Sequence, residues 1–424
     1  MQMYIVFGIM IFFAVSLVLG KWPFGLTAMT CCVLLVLTGV YNLPQAFSGF
    51  TNKILIMMAP MYVLCYAFGR TSVMASLRGK MALLQNKRGL LLMLGVLGML
   101  VLFAQFFPSA VTLTLIIVFV QSLSDTGDIT PSRLLIPLAG LAGMWGCALP
   151  FGMGLTNAAS TNAYYEALTT DSSQLLTVFE PFKFLIIPCL LTTIWTLVGF
   201  KLLPKGGSVD TSKLRQVREQ EKLSSRDEKI TYIAFGLVVL ALFFSNQIGN
   251  IVYIAPAIGV LLLAFTKALT IREIVENLAC DPIFMVAGAL AVSNAMADTG
   301  AGEAIGNCIL RLLGENPSPM FGVFVFGLTG LVLTSVMSNF GAFAILTPLA
   351  ASTALAAGWD PKALVMAVNQ MTICAIILPS ASPAAAIAHA TAGYKIKDSL
   401  IFTIPFGIIA LIGCMISAAL FFPA

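Results

Sequence analysis

Two apolar stretches in the second half of the chain are each too long for one membrane-spanning helix, and each is broken near its middle. The first, MFGVFVFGLTGLVLTSVMSNFGAFAILTPLAASTALAAG, starts after Pro319 and is interrupted by Ser335, Ser338, Asn339 and Gly341. One span takes about 20 residues, so this stretch reads as a re-entrant hairpin of two half-helices over about 319–357, with Ser338 and Asn339 at its tip. The second, ALVMAVNQMTICAIILPSASPAAAIAHATAGY, has Pro379 and Pro383 bracketing Ser380 and Ser382, where a helix must give up hydrogen bonds. It reads as a broken span over about 362–394. Unwound backbone survives at membrane depth only where it is buried in protein or lines a cavity. Two such breaks in succession point to a solute site near the bilayer midplane.

The whole chain supports a membrane reading. Its 424 residues are 59% hydrophobic and 10% charged, with a mean hydropathy of +0.97, which excludes a soluble enzyme. That length holds about ten spans of about 20 residues, two hairpins and short loops. The net charge of +5 sits mostly in loops, so it reports topology and not nucleic-acid affinity. The cysteines, Cys31, Cys32, Cys147 and Cys374 among them, lie in apolar runs without a C-x-x-C pair and read as packing residues. The first apolar run has no basic flank or small-residue cleavage site, and reads as a span of the mature chain.

Taken in order, apolar runs at about 3–19, 24–40 and 52–70 read as three spans. Arg70, Arg78, Lys80, Lys87 and Arg88 follow and place that segment in the cytoplasm, with the N-terminus outside. TSVMASLRGKMALLQNKRG reads as an interfacial amphipathic helix. The next long run, about 90–124, carries a break at Gln105, Pro108 and Ser109 and reads as a second hairpin. The glycine-rich segment 134–165 reads as a broken span with its unwound centre near Gly143 to Pro150. The loop with Glu166, Asp171 and Glu180 sits outside, and a span at about 182–203 returns the chain to the cytoplasm. The linker 201–229 holds eight Lys/Arg against five Asp/Glu and stays inside. Spans at about 230–245, 251–267 and 282–298 follow, with Lys267 and Arg272 in the inside loop. MADTGAGEAIGNCILRLLG resembles the earlier interfacial piece, and a last span at about 398–422 ends outside.

Each half, 1–200 and 230–424, therefore holds five spans with a hairpin and a broken helix among its elements. Five is odd, so the second half enters the membrane from the opposite side. The expected fold class is an all-α integral membrane protein built as an inverted repeat. Tip-to-break spacing agrees: 37 residues from Ser109 to Gly146 and 40 from Asn339 to Pro379.

The segments SNFGAFAILTPLAAS and CAIILPSASPAAAIAHATAG resemble the second signature region of the divalent anion:sodium symporter family, within the ion transporter superfamily. A weaker likeness covers most of the chain, including GLAGMWGCALP. The resemblance implies a homodimer of elevator type in the cell's inner (plasma) membrane, with Na+ as coupling ion and a small anionic solute as cargo. It assigns Thr334, Ser338, Asn339 and Ala381 to a sodium site, and Ser109 and Gly146 to a first sodium site. It places the solute among Ser109, Ser338, Asn339, Phe340, Ser380 and Ser382. Sodium is a hard cation, and hydroxyls, amide carbonyls and freed backbone carbonyls suit it. The alternative is that Ser338 and Asn339 merely cap the second arm of the hairpin, but capping does not require the Pro379–Pro383 break opposite.

The chain departs from that family at both tips. Pro108, Ser109 and Ala110 replace Ser-Asn-Thr at the first, Ala104 replaces an upstream serine, and Phe340 replaces the second tip's threonine. Ala148, Leu149 and Pro150 stand where the family has Pro-Pro-Asn. His389, the only histidine, is either a proton-linked or solute-binding group or a packed neutral one. Gln105, Asn369 and Gln370 either face the cavity or make polar interhelical contacts. The GxxxG at Gly302–Gly306 is too common a pattern to carry an assignment. With no Asp or Glu central in any span, a carboxylate proton relay is disfavoured, and an embedded enzyme lacks its nucleophile–base pair or metal cluster. The reading is a sodium-coupled anion transporter, with a proton-coupled or exchange-type transporter as the alternative. A passive channel remains open until uptake against a gradient is seen.

Overall fold

Backbone N–H and C=O groups in hydrocarbon must be satisfied within the chain, which leaves helices as the economical answer for long apolar runs. The computed structural model describes residues 2–19, 21–73, 76, 90–121, 130–169, 171–204, 223–244, 248, 251–314, 317–336, 339–379, 381–392 and 395–422. Among them the regular structure is helical throughout. Most of the sequence-expected helix at 71–89 and most of the 201–229 linker lie outside the described residues.

Three apolar helices come first: α1 (Gln2–Leu19), α2 (Phe24–Leu37) and α3 (Lys53–Gly69). The first broken elements follow, as α4 (Leu90–Ala104) with α5 (Ser109–Gln121), then α6 (Pro131–Ala148) with α7 (Met153–Tyr165). Next come α8 (Glu180–Gly199), α9 (Ser225–Phe243) and α10 (Ile251–Phe265). After these come α11 (Ile271–Leu278), α12 (Asp281–Asp298) and α13 (Ala301–Leu313). The second broken elements are α14 (Pro319–Val336) with α15 (Asn339–Ala356), and α16 (Lys362–Ile373) with α17 (Pro383–Ala392). The chain closes with α18 (Ile396–Phe421).

Among the described residues four helices are long and apolar enough to cross a membrane, or five if the bent α6–α7 pair counts as one span. Charged pairs cluster at the two ends of the bundle. Lys53 Nζ lies 2.7 Å from Glu166 Oε1, and Arg70 pairs with Glu273. These pairs stand at opposite ends of α3, whose 17 residues measure about 25 Å at 1.5 Å per residue. Lys362 Nζ, 2.9 Å from Glu180 Oε1, ties the start of α16 to the start of α8.

Both breaks differ in position from the sequence reading. Helix α6 is continuous through Gly143 and Gly146 and ends only at Ala148, with the bend at 149–152. Its glycines serve close approach: a Cβ on Gly143 would stand 3.1 Å from Ile373 Cγ2, and one on Gly146 3.1 Å from the Ala104 carbonyl oxygen. The second break begins at Cys374, ahead of Pro379. Proline clashes with the carbonyl four residues before it, here Ala375, so the helix ends before reaching the ring.

One smaller element was hidden. The loop carrying Arg272 holds helix α11, opened by a capping box in which the Thr270 side chain accepts from the Glu273 N–H and Glu273 reaches back to Thr270. The GxxxG pair packs α13 onto α15: a Cβ on Gly306 would stand 2.5 Å from the Ser352 carbonyl oxygen.

Candidate functional site

The last four carbonyls of a helix lack intrahelical donors, so each broken helix needs partners at membrane depth. In the first unit they come from Gln105, at the turn between α4 and α5. Its buried side-chain Nε2 donates to the Val101 carbonyl at 3.1 Å and to the Trp145 carbonyl, in the last turn of α6, at 2.8 Å. Its own carbonyl accepts the Met153 N–H at 2.8 Å, which ties the tip to the start of α7. Gly152 makes this possible. It has φ +58°, and a Cβ there would stand 2.0 Å from the Gln105 carbonyl oxygen. The Phe106 ring stacks on Phe68 of α3 at 4.3 Å and lies 5.6 Å from Phe235 of α9. Ser109, half-buried, is the first residue of α5, and Gly146 is interior to α6.

The second unit does the same with other residues. Thr334, fully buried on α14, donates its hydroxyl to the Thr372 carbonyl at 2.7 Å, one residue before α16 ends. The loop carbonyls that follow are taken up in turn: Ala375 by the Ser382 hydroxyl at 2.9 Å, Ile376 by His389 Nε2 at 3.2 Å, and Leu378 by the Ala381 N–H at 3.1 Å. Ser382 also accepts the Ala385 N–H at 3.1 Å, which caps α17. A carbonyl only accepts, so His389 carries a proton on Nε2. Its Nδ1 is buried with no partner among the described residues. Ala381 is fully buried. Asn339 begins α15, and its Oδ1 accepts the Phe340 N–H at 3.0 Å, while the Phe340 ring is 45% exposed. Ser338 and Ser380 lie outside the described residues.

The units interlock. Each pair of hairpin helices packs on the first arm of its own broken helix, α4 and α5 on α6, α14 and α15 on α16. The second arms cross over, α7 onto α15 and α17 onto α5. At the crossing of α7 and α16, Asn157 Nδ2 donates to Asn369 Oδ1 at 3.0 Å, and Asn369 Nδ2 lies 2.8 Å from Thr161 Oγ1. Asn369 and Gln370 thus make interhelical contacts, Gln370 with Cys189 Sγ on α8 at 3.8 Å. Asn157 and Thr161 escaped the sequence reading. Their signal was present in TNAAST, an Asn and a Thr four apart on one helical face.

The chemistry on offer is dipolar. Apart from Arg133 and Lys362 near helix starts, α4–α7 and α14–α17 carry no Asp, Glu, Lys or Arg. Helix C-terminal carbonyls, each with a lone pair left after one hydrogen bond, suit a cation, while the N-termini of α5, α7, α15 and α17 suit an anion. No group of three or more His, Cys, Asp or Glu that could hold a metal occurs among the described residues.

A model of the citrate transporter family matches residues 10–369 and 252–423. The chain is 24% identical over 230 residues to the uncharacterized transporter YfbS of Escherichia coli, an alignment covering 54% of this chain and 37% of that one. It is 27% identical over 125 residues to the sodium-dependent dicarboxylate transporter SdcS of Staphylococcus saprophyticus, covering 30% and 24%. The matched region thus spans well under half the length of these relatives. The structure is similar to that of the Alcanivorax borkumensis YdaH transporter, with a TM-score of 0.62, 16% identity, and 90% and 87% of the two chains covered.

Proposed function

The chain belongs to the citrate transporter family, which makes it a transporter and not an enzyme, and from that premise we propose a sodium-coupled secondary carrier of a small carboxylate or sulfate-like anion. The observation that carries this reading is the seat around Thr334. A buried hydroxyl holds the Thr372 carbonyl in the last turn of α16, and the carbonyls of Ala375, Ile376 and Leu378 follow in the loop between α16 and α17. Oxygen ligands for a hard cation and N-terminal N–H groups for an anion are thereby held in one unit. The SdcS relative is by name sodium-dependent, which supports sodium as the coupling ion. The two interlocked units, taken as 1–200 and 230–424, support an inverted repeat. We further read a homodimer in the inner membrane, moving by an elevator mechanism, with both termini outside.

The solute need not be a compact dicarboxylate. Losing one charge-assisted donor at each tip, through Ala110 and Phe340, removes about 1.5–3 kcal/mol per bond. A substrate with an apolar portion or a single anionic group fits better beside the exposed Phe340 ring.

The test is uptake of labelled citrate, succinate, benzoate and sulfate into proteoliposomes under imposed sodium, potassium or proton gradients. Accumulation of one of these above its outside concentration, driven by sodium alone, is expected. Accumulation that follows the proton gradient without sodium would overturn the coupling, and uptake that stops at equilibrium would indicate a channel.

A further inference from the structure

Helix α7 packs against α3, α6, α12, α15 and α16. Ten of its thirteen residues are buried, and the others are Met153, Asn157 and Asn162. Asn162 is consumed locally, since its side chain exchanges two hydrogen bonds of 2.9 Å with the backbone of Leu176. Met153 and Asn157, four apart, then define the accessible stripe.

The orientation of the Asn157 amide follows from its neighbours. The Thr161 hydroxyl donates to the Asn157 backbone carbonyl at 2.8 Å. Its one hydrogen is used there, so towards Asn369 it can only accept. That turns Asn369 Nδ2 to Thr161 and Asn369 Oδ1 to Asn157, whose Nδ2 must donate. Asn369 Nδ2 also lies 3.2 Å from Asn157 Oδ1, closing a reciprocal amide pair. An amide nitrogen carries two hydrogens. One on Asn157 is held by Asn369, and the second has no partner among the described residues, on a side chain that is only half-buried.

The pair also stands level with both breaks. Asn157 is four residues into α7 from Met153, and Asn369 is four residues before Ile373, the end of α16. Each is about one helical turn from unwound backbone. We infer that Asn157 is a solute-binding residue, offering its spare amide hydrogen to the anion, and that Asn369 and Thr161 are positioning residues that aim it. This rests on the anion-transport reading and supplies a donor in place of those missing from the two tips.

The experiment measures stabilisation of the full-length, detergent-purified protein by citrate, succinate, benzoate and sulfate, with and without sodium, in wild type, Asn157→Asp, Asn157→Ala and Asn369→Leu. Asn157→Asp keeps the acceptor that faces Asn369 Nδ2 but replaces Nδ2, and with it both the spare donor and the donor to Asn369 Oδ1, by a carboxylate oxygen, so it is read beside Asn157→Ala, which adds no charge, and Asn369→Leu, which breaks the pair alone. We expect its affinity for the best anion to fall by about tenfold or more, the loss of one hydrogen bond to a charged group, while sodium stabilises it as in wild type. Asn369→Leu should weaken the anion through disorientation, with a smaller fold-change than Asn157→Asp. Unchanged anion affinity in a monodisperse Asn157→Asp or Asn157→Ala protein overturns the assignment while leaving the transporter reading intact. A wild type stabilised by none of the four anions sinks the anion reading and this inference together.

Discussion

Thr334 on α14 and Thr372 on α16 are joined by a 2.7 Å hydrogen bond from the side chain of the first to the backbone carbonyl of the second. The bond fastens the second hairpin to the last turn before the break. It also places a buried hydroxyl oxygen with spare lone pairs beside a carbonyl of the last helical turn.

Thr334→Val should therefore raise the sodium concentration giving half-maximal uptake by about tenfold, with loss of one bond worth roughly 1 kcal/mol in stability. Thr334→Ser, which keeps the hydroxyl, should stay within a few-fold of wild type. A sodium titration of uptake and a thermal melt separate the two effects. Equal sodium dependence in Thr334→Val would remove it from the ion site.

Asn339→Ala should weaken sodium dependence more than Ser109→Ala. Asn339 stands beside the Thr334 seat in sequence, whereas Pro108 and Ala104 have removed the corresponding oxygens from the first tip. The measurement is again the half-saturating sodium concentration, and equal losses would speak against one dominant ion site.

Gly152→Ala should be severely destabilising. It forces an L-residue into φ +58°, ψ −129° and sets its Cβ 2.0 Å from the Gln105 carbonyl oxygen, so the cost exceeds the roughly 1–3 kcal/mol of the backbone conformation alone. Gly98→Ala is the control, a helical position with no atom within 4 Å of the added carbon, expected to be neutral or stabilising by up to about 1 kcal/mol. Melting temperatures of the two variants check the contrast.

Phe340→Thr together with Ala110→Thr should shift selectivity towards dicarboxylates by restoring a donor at each tip. Competition of labelled uptake by monocarboxylates, dicarboxylates and sulfate reads this out. Tight, saturable succinate uptake by the unmodified protein would show that other groups, Asn157 among them, already replace the lost contacts.

A cysteine introduced at Asp360 should be labelled from outside intact cells, and one at Ser208 spared. Asp360 accepts the Lys362 N–H at 2.9 Å, and Lys362 pairs with Glu180, so the charged layer at this end should face the medium. Labelling at Ser208 would reverse the orientation.

Run length and composition were enough to read the chain as helical and membrane-embedded, because a bilayer admits so few backbone solutions. The paired prolines drew attention to Ser382, whereas Thr334 came only from the family resemblance. Where each helix ends was decided by the fold. Gly143 and Gly146 look like helix breakers in isolation, yet neighbours packed against them keep α6 intact to Ala148. The partnership of Asn157 with Asn369 joins residues 212 apart, and no local pattern encodes which of many polar side chains will meet across two helices. Sequence sets the inventory of donors and the places where backbone must be rescued. Only packing determines which donor reaches which carbonyl, and which amide is left over for a solute.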